Sequence, residues 1–290
     1  MFRRIKNGWQ LTKKSWGILR SSPGLIRFPL VAVLVGFVIG LLTLIPGVIL
    51  LSLDQTAANV LGVVVLVVGF VLIAFIATFF AVALAHNADR LLAGEDPSFG
   101  DGTALARQRT GPIFSWAIIS TTVGALIGLL QDKLGVAGVI LGGLAGAAWG
   151  LLTFLAVPVI AIEGTGGFGT VKRCTQLIKD RWGEQITGTA LIGGVLFLIG
   201  YLPAFLVISI GIALWAAGGI VAGGVALIII GILAFTAVAL LNQALATIFG
   251  VALYYYAASD KAVGVFTSED FAEAITVKGG MPPGTAGTTI

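Results

Sequence analysis

The sequence predicts an all-α polytopic membrane protein: six transmembrane helices with amphipathic helices at the bilayer surface. Three observations carry this. Hydrophobic residues make up 58% of the chain and charged residues 10%, where a soluble domain carries roughly 25% charge. Mean hydropathy is +1.05. The charges that do occur fall between apolar runs about as long as a bilayer is thick. A soluble fold with so few charges has no means of covering its surface, so the solvent for most of it is lipid.

The first run is 28–53, closed by Asp54-Gln55. The basic segment ahead of it is long, the run itself is long enough to span, and no small-x-small site follows a short apolar core. It therefore reads as a retained span and not as a signal peptide. The second run, 58–85, ends at His86-Asn87. The third, 112–130, stops at Gln131-Asp132-Lys133, and the fourth, 135–162, at Glu163-Gly164. From Ile186 to Ser259 there is no charge at all. That stretch holds two helices, 186–214 and 220–257, with the turn expected at 215–219. The last is longer than a bilayer needs, so its end projects, and Tyr254, Tyr255 and Tyr256 are expected near the headgroups. Residues 1–275 form one transmembrane domain, with a short helix at 268–274 and a flexible Gly/Pro/Thr-rich tail at 276–290.

Lys and Arg are hard to carry across a membrane, so their distribution predicts orientation. Six spans put 16 of the 17 on one side and leave only Lys133 on the other. Both termini are then cytoplasmic, in a bacterial or archaeal inner membrane.

Three segments between spans have the pattern of interfacial helices: 2–20, 99–110 and 168–183. The first and third align without gaps. Phe2 matches Phe168, Lys6 matches Lys172, Leu11 matches Leu177, Lys13 matches Lys179, and Trp16-Gly17 matches Trp182-Gly183. Phe2, Ile5, Trp9, Thr12 and Trp16 share one helical stripe, as do Phe168, Val171, Thr175, Ile178 and Trp182. Such stripes dip into the acyl boundary while Lys and Arg stems reach up to phosphates. Arg3, Arg4, Lys6, Lys13, Lys14, Arg107, Arg109, Lys172, Arg173 and Lys179 are thus expected at lipid headgroups, with Trp9, Trp16 and Trp182 beside them. The spans echo this: F-x-V-A-L-x-x-x-A occurs at 80–88 and again at 249–257. The expectation is three parallel units, each an interfacial helix followed by a transmembrane hairpin.

Gly138, Gly142, Gly146 and Gly150 recur every fourth residue, a smooth stripe for helix packing within the bundle or between copies. Asn242 and Gln243 are the strongest polar pair at depth. Their structural reading is an interhelical hydrogen bond, and their functional one a polar path with Ser120, Thr121 and Thr122. One His, one Cys and no buried carboxylate pair leave no set of convergent catalytic groups, no intrachain disulfide and no Cys/His metal site, so neither enzymatic activity nor a cofactor is expected. Gly164-x-Gly166-Gly167-x-Gly169 follows a membrane span and lacks P-loop residues, so it is a flexible link and not a nucleotide fingerprint. Basic residues interleaved with Trp beside spans point to anionic lipid and not to nucleic acid.

The opening R-R-I-K-x-G-W-x-L-x-K-x-S-W-x-I-L-R (residues 3–20) and F-P-L (28–30) resemble the start of an uncharacterised prokaryotic family of six-span membrane proteins. So do P-S-F-x-D-G (97–102), W-A-I-I-S (116–120) and V-P-V-I-A-I-E-G (157–164). More loosely, the three-hairpin layout is similar to the membrane-anchor domains of some glycerophosphodiester phosphodiesterases, without their catalytic domain. The family implies no activity and no functional residues. The residues therefore support a non-enzymatic protein that organises lipid, responds to membrane stress or scaffolds a partner, as a possible homo-oligomer or beside another membrane protein. Two alternatives stay open: a small-solute permease or channel, and an accessory subunit of a larger membrane complex.

Overall fold

A backbone in lipid must satisfy its own polar groups, so uncharged runs of this length become helices. The computed structural model describes residues 2–53, 55–133, 135–182, 200–216, 221–259, 261 and 263–267. Among them the fold is all helical. In chain order the helices are α1 (Phe2–Ser21), α2 (Arg27–Ser52), α3 (Thr56–Leu92), α4 (Phe99–Gln108), α5 (Thr110–Lys133), α6 (Gly135–Glu163), α7 (Phe168–Trp182), α8 (Leu202–Ala216) and α9 (Val221–Ser259), with a 3₁₀ turn at Pro23–Ile26. Among the described residues five apolar helices are long enough to cross a bilayer: Pro23–Ser52, Thr56–Leu92, Thr110–Lys133, Leu141–Glu163 and Val221–Ser259. The expected fifth span is described only from Gly200 onward, where α8 is a shorter apolar helix. Most of the expected 215–219 turn, the 268–274 helix and the 276–290 tail also lie outside the described residues.

One boundary differs in a way that matters. The second span was expected to end at His86-Asn87, but α3 runs on to Leu92 and at 37 residues is about 55 Å long. Asn87 does not cap the helix. Its side chain turns inward, 2% exposed, and Asn87 Nδ2 donates to the carbonyl of Ser98 at 2.8 Å.

Contacts are most extensive within the pairs α2/α3, α5/α6 and α8/α9, each preceded by one of the shorter helices α1, α4 and α7. The pairs meet one another at a single end. There Phe28, Val82, Leu84, Ile113, Leu155, Ile160, Ile248 and Val251 are fully or almost fully buried. Farther along the arms the buried positions are mostly glycines inside a hairpin: Gly40 and Gly47 in α2, Gly62 and Gly69 in α3, Gly211 in α8, Gly224 and Gly231 in α9. Large apolar side chains there face outward, Leu42 being 70% exposed, as lipid-facing residues must.

The glycines permit close crossing of the hairpin helices. A Cβ on Gly224 would sit 2.7 Å from Trp215 N and 2.8 Å from Gly211 O. A Cβ on Gly62 would sit 3.0 Å from Gly47 O. Gly224→Leu is expected to cost about 1–3 kcal/mol, as overpacking does. Gly124→Leu, where a Cβ meets nothing within 4 Å, is expected to cost close to nothing. Thermal unfolding of the two variants in detergent checks the difference.

The Gly138–Gly150 stripe is only partly a seam within the chain. Gly142 lies against the Gln131 side chain and Gly146 just touches Ile127 at 4.0 Å, while a Cβ on Gly150 would meet nothing within 4 Å. Towards the buried end Trp116 of α5 and Trp149 of α6 stack with ring centroids 5.6 Å apart.

Candidate functional site

The packed end of the bundle gathers the surface helices and the side-chain-to-side-chain hydrogen bonds of Arg90, Ser98, Thr165, Arg173 and Tyr254. We call it the basic end, after the cations on α1, α4 and α7. It has an outer basic surface, an inner polar clasp and an apolar groove between helices.

Helix α7 carries the basic surface. Its docked face is Thr170, Cys174 and Leu177, all buried. That face lies about 100° around the helix from the stripe expected to meet lipid. Packing against α5, α6 and α9 selected it, leaving Phe168 80% exposed and Lys172 and Lys179 pointing outward. Helix α1 behaves alike. Thr12, Ser15 and Leu19 are buried, and Trp16 is 45% exposed. Arg20, Arg107 and Lys13 are exposed and Lys14 is partly so. The side chains of Arg3, Arg4, Lys6, Trp9 and Trp182 lie outside the described residues.

Two expected headgroup cations turn inward instead. Arg173 Nε donates to both oxygens of Glu163, at 2.8 and 2.9 Å. Arg109 lays its guanidinium over the Cα of Gly164, with its Nε buried. The link from α6 to α7 makes this possible. Gly164 has φ +71° and Gly167 φ +55°, left-handed values that a glycine adopts without strain. Gly164 thereby ends α6 at Glu163, and Gly167 turns the chain so that α7 folds back beside it.

Glu163 is the centre of the clasp. Tyr254 Oη donates to Glu163 Oε1 at 2.7 Å, tying α9 to α6 and α7. The next residue, Tyr255, reaches Asp89 on α3. Of the tyrosines expected near the headgroups, Tyr254 and Tyr256 are buried and Tyr255 is partly so. The hydrogen bond to Glu163 holds Arg173 above its ordinary pKa, so the guanidinium stays charged. Burial, followed by the Glu163 charge, pushes the Cys174 thiol up to about 12. A thiol held protonated there is a poor nucleophile. Cys174 is therefore expected to resist maleimide at neutral pH in the folded protein and to label fully in denaturant; mass spectrometry reads both states.

The P-S-F-x-D-G segment makes a third element of this end. Ser98 caps α4 in a capping box: Asp101 N donates to Ser98 Oγ at 3.3 Å, and Ser98 N donates to Asp101 Oδ2 at 2.8 Å. The Ser98 backbone N–H, and then the Ser98 hydroxyl donating to Asp101 Oδ2 at 2.9 Å, hold the Asp101 carboxyl below its usual range. Phe99 stacks on Phe28 with centroids 4.6 Å apart. Gly102 closes against α3, and Asn87 Oδ1, which has no hydrogen-bond partner, faces its Cα.

The groove occupies about 460 Å³ between α2, α3 and α9. Its walls include Pro29, Gly36 and Phe37 from α2, Ile73, Ala77 and Leu84 from α3, and Leu240 from α9. Gln243 supplies its polar side chain, exposed to the groove. Neither Asn242 nor the α5 hydroxyls line it. Ser120 and Thr122 donate back along their own helix, to Ala117 O at 3.1 Å and Ile118 O at 2.8 Å. The five polar residues expected to outline a path are therefore not brought together.

Among the described residues no group of three or more His, Cys, Asp or Glu is placed to hold a metal ion. Neither a curated protein nor a solved structure matches the chain. The model of a family of unknown function, DUF6159, matches residues 60–264, from α3 through the segment after α9, and on that match over well more than half of its length the chain belongs to this family.

Proposed function

We propose that the protein is a non-catalytic membrane protein that gathers anionic lipid around its basic end, and through it organises the bilayer or presents a platform to a partner. The carrying observation is the outward set of Arg20, Arg107, Lys172 and Lys179 beside the exposed rings of Trp16 and Phe168. Ammonium and guanidinium groups at the headgroup level, next to aromatic rings, are what an anionic leaflet attracts, at about 1 kcal/mol per cation near the surface. This reading takes the chain as six spans in three parallel units of surface helix and hairpin, with both termini cytoplasmic and the basic end at the inner leaflet. The order α1–α2–α3, α4–α5–α6, α7–α8–α9 and the seven-residue glycine spacing in the first and third hairpins support the threefold layout. That layout is also the ground for a likeness to the anchor domains of glycerophosphodiester phosphodiesterases.

The test is thermal stabilisation of the purified full chain by added lipid. Phosphatidylglycerol is expected to stabilise it more than phosphatidylcholine, by a margin that shrinks with salt. Replacing Arg20, Arg107, Lys172 and Lys179 together by Gln is expected to abolish the difference. Equal stabilisation by the two lipids at low salt overturns the proposal.

A further inference from the structure

We propose that the groove between α2, α3 and α9 is a binding site for one glycerophospholipid, with an acyl chain along its floor and an ester carbonyl accepting from the Gln243 amide. The inference deepens the lipid reading above and rests on it. Gly40 lies against Ile73 and Gly47 against Leu66, so antiparallel pairing sets Ala32 opposite Ala81 and Pro29 opposite Leu84. Gln243, on α9, lines the same groove. Ala32 is five residues along α2 from Arg27, or about 8 Å along the axis. Arg27 is exposed and begins the helix at the basic end. A headgroup at the level of Arg27 therefore leaves the ester and acyl region of the lipid to enter the groove below it. From there the floor descends past Gly36 and Phe37 and past Ala77 to Ile73, all apolar.

The chemistry selects the occupant. A volume of about 460 Å³ is in the range of small-molecule sites, about 300–1,000 Å³. Water does not fill apolar walls at membrane depth, and an empty groove forfeits the contacts of its lining. An amide exposed to hydrocarbon is costly unless a hydrogen-bond partner comes with the occupant. A hydrocarbon tail alone meets the walls but not Gln243. A polar solute meets Gln243 but not the walls. A glycerolipid, with ester carbonyls above its acyl chains, meets both.

The experiment is native mass spectrometry of the full chain purified in mild detergent and incubated with phosphatidylglycerol, and separately with palmitic acid. The expected result is one phospholipid retained per chain, with palmitate retained about tenfold less well. Ala77→Trp and Gly36→Leu fill the groove from positions with open space: Ala77 is exposed, and a Cβ on Gly36 meets nothing within 4 Å. Both are expected to lose the retained lipid without loss of thermal stability, and Gln243→Leu to weaken it about tenfold. Val67→Trp, on an exposed α3 position outside the groove, is expected to keep it. Retention unchanged in both groove-filling variants overturns the site, even where phosphatidylglycerol still stabilises the chain. Palmitate retained as well as the phospholipid overturns the role of the ester. A phosphatidylglycerol preference that survives in the fourfold Gln variant, with the single lipid still retained, overturns the surface reading and leaves the groove standing.

Discussion

Gly102→Val is expected to be the most damaging single substitution at the basic end. A Cβ at Gly102 would stand 2.6 Å from Ala83 O, 2.8 Å from Asn87 Oδ1 and 2.9 Å from Phe28 Cζ. None of these neighbours yields cheaply. Ala83 O belongs to the α3 backbone. Asn87 is held through its Nδ2 by the Ser98 carbonyl, and Phe28 is sandwiched against Phe99. To relieve the clash α4 must lift off α3, which exposes Asn87 and breaks the aromatic stack. Overpacking costs about 1–3 kcal/mol and a buried polar group left without its partner about 1–3 kcal/mol more. We expect the variant to lose most of its folded yield in detergent, while Gly100→Val, where a Cβ meets only Ser98 Oγ at 3.4 Å, stays close to the parent. Size-exclusion chromatography after a temperature series reads the two side by side. Equal survival of both would show that α4 is not held through Gly102.

Glu163→Ala is expected to have the next largest effect, for an electrostatic reason. The carboxylate accepts from Arg173 on α7 and from Tyr254 on α9, so one side chain joins three helices. Its removal leaves a guanidinium and a phenol without their acceptor. A fully buried pair broken in this way costs about 3–5 kcal/mol. Arg173 is about a third exposed, so screening brings the expected loss down to about 2 kcal/mol. Tyr254→Phe removes one neutral-to-charged hydrogen bond and is expected to cost about 1–2 kcal/mol. The double variant should cost less than the sum, since both changes delete the same contact. Strict additivity in a double-mutant cycle would mean that the 2.7 Å hydrogen bond contributes nothing.

The motif segments were visible in the sequence before their purpose was. P-S-F-x-D-G stood out at 97–102, yet nothing in the letters says that its Ser caps a helix, its Phe stacks on Phe28 and its Gly takes the face of Asn87. These partners come from α2 and α3, and contacts so distant in sequence leave no local periodicity. The glycines of 164–169 likewise read as a link, but not as the left-handed turns that bring Arg109 over Gly164 and Arg173 to Glu163. The Tyr254–Tyr256 run read as a headgroup belt because amphipathic rings favour that level. Two carboxylates at the ends of α3 and α6 gave two of the hydroxyls protein partners instead.

By itself the sequence determined the solvent and the element order. Uncharged runs longer than a bilayer leave the backbone no choice but helix, and charges that resist transfer mark where each run stops. The tertiary structure alone decided which faces meet. Every face of these spans is apolar, so hydropathy does not distinguish a wall against protein from a wall against lipid. Glycine placement, the stacked rings and the Glu163 clasp make that choice. They close the helices at the basic end, leave the far arms to lipid, and open between α2, α3 and α9 the groove where Gln243 lies.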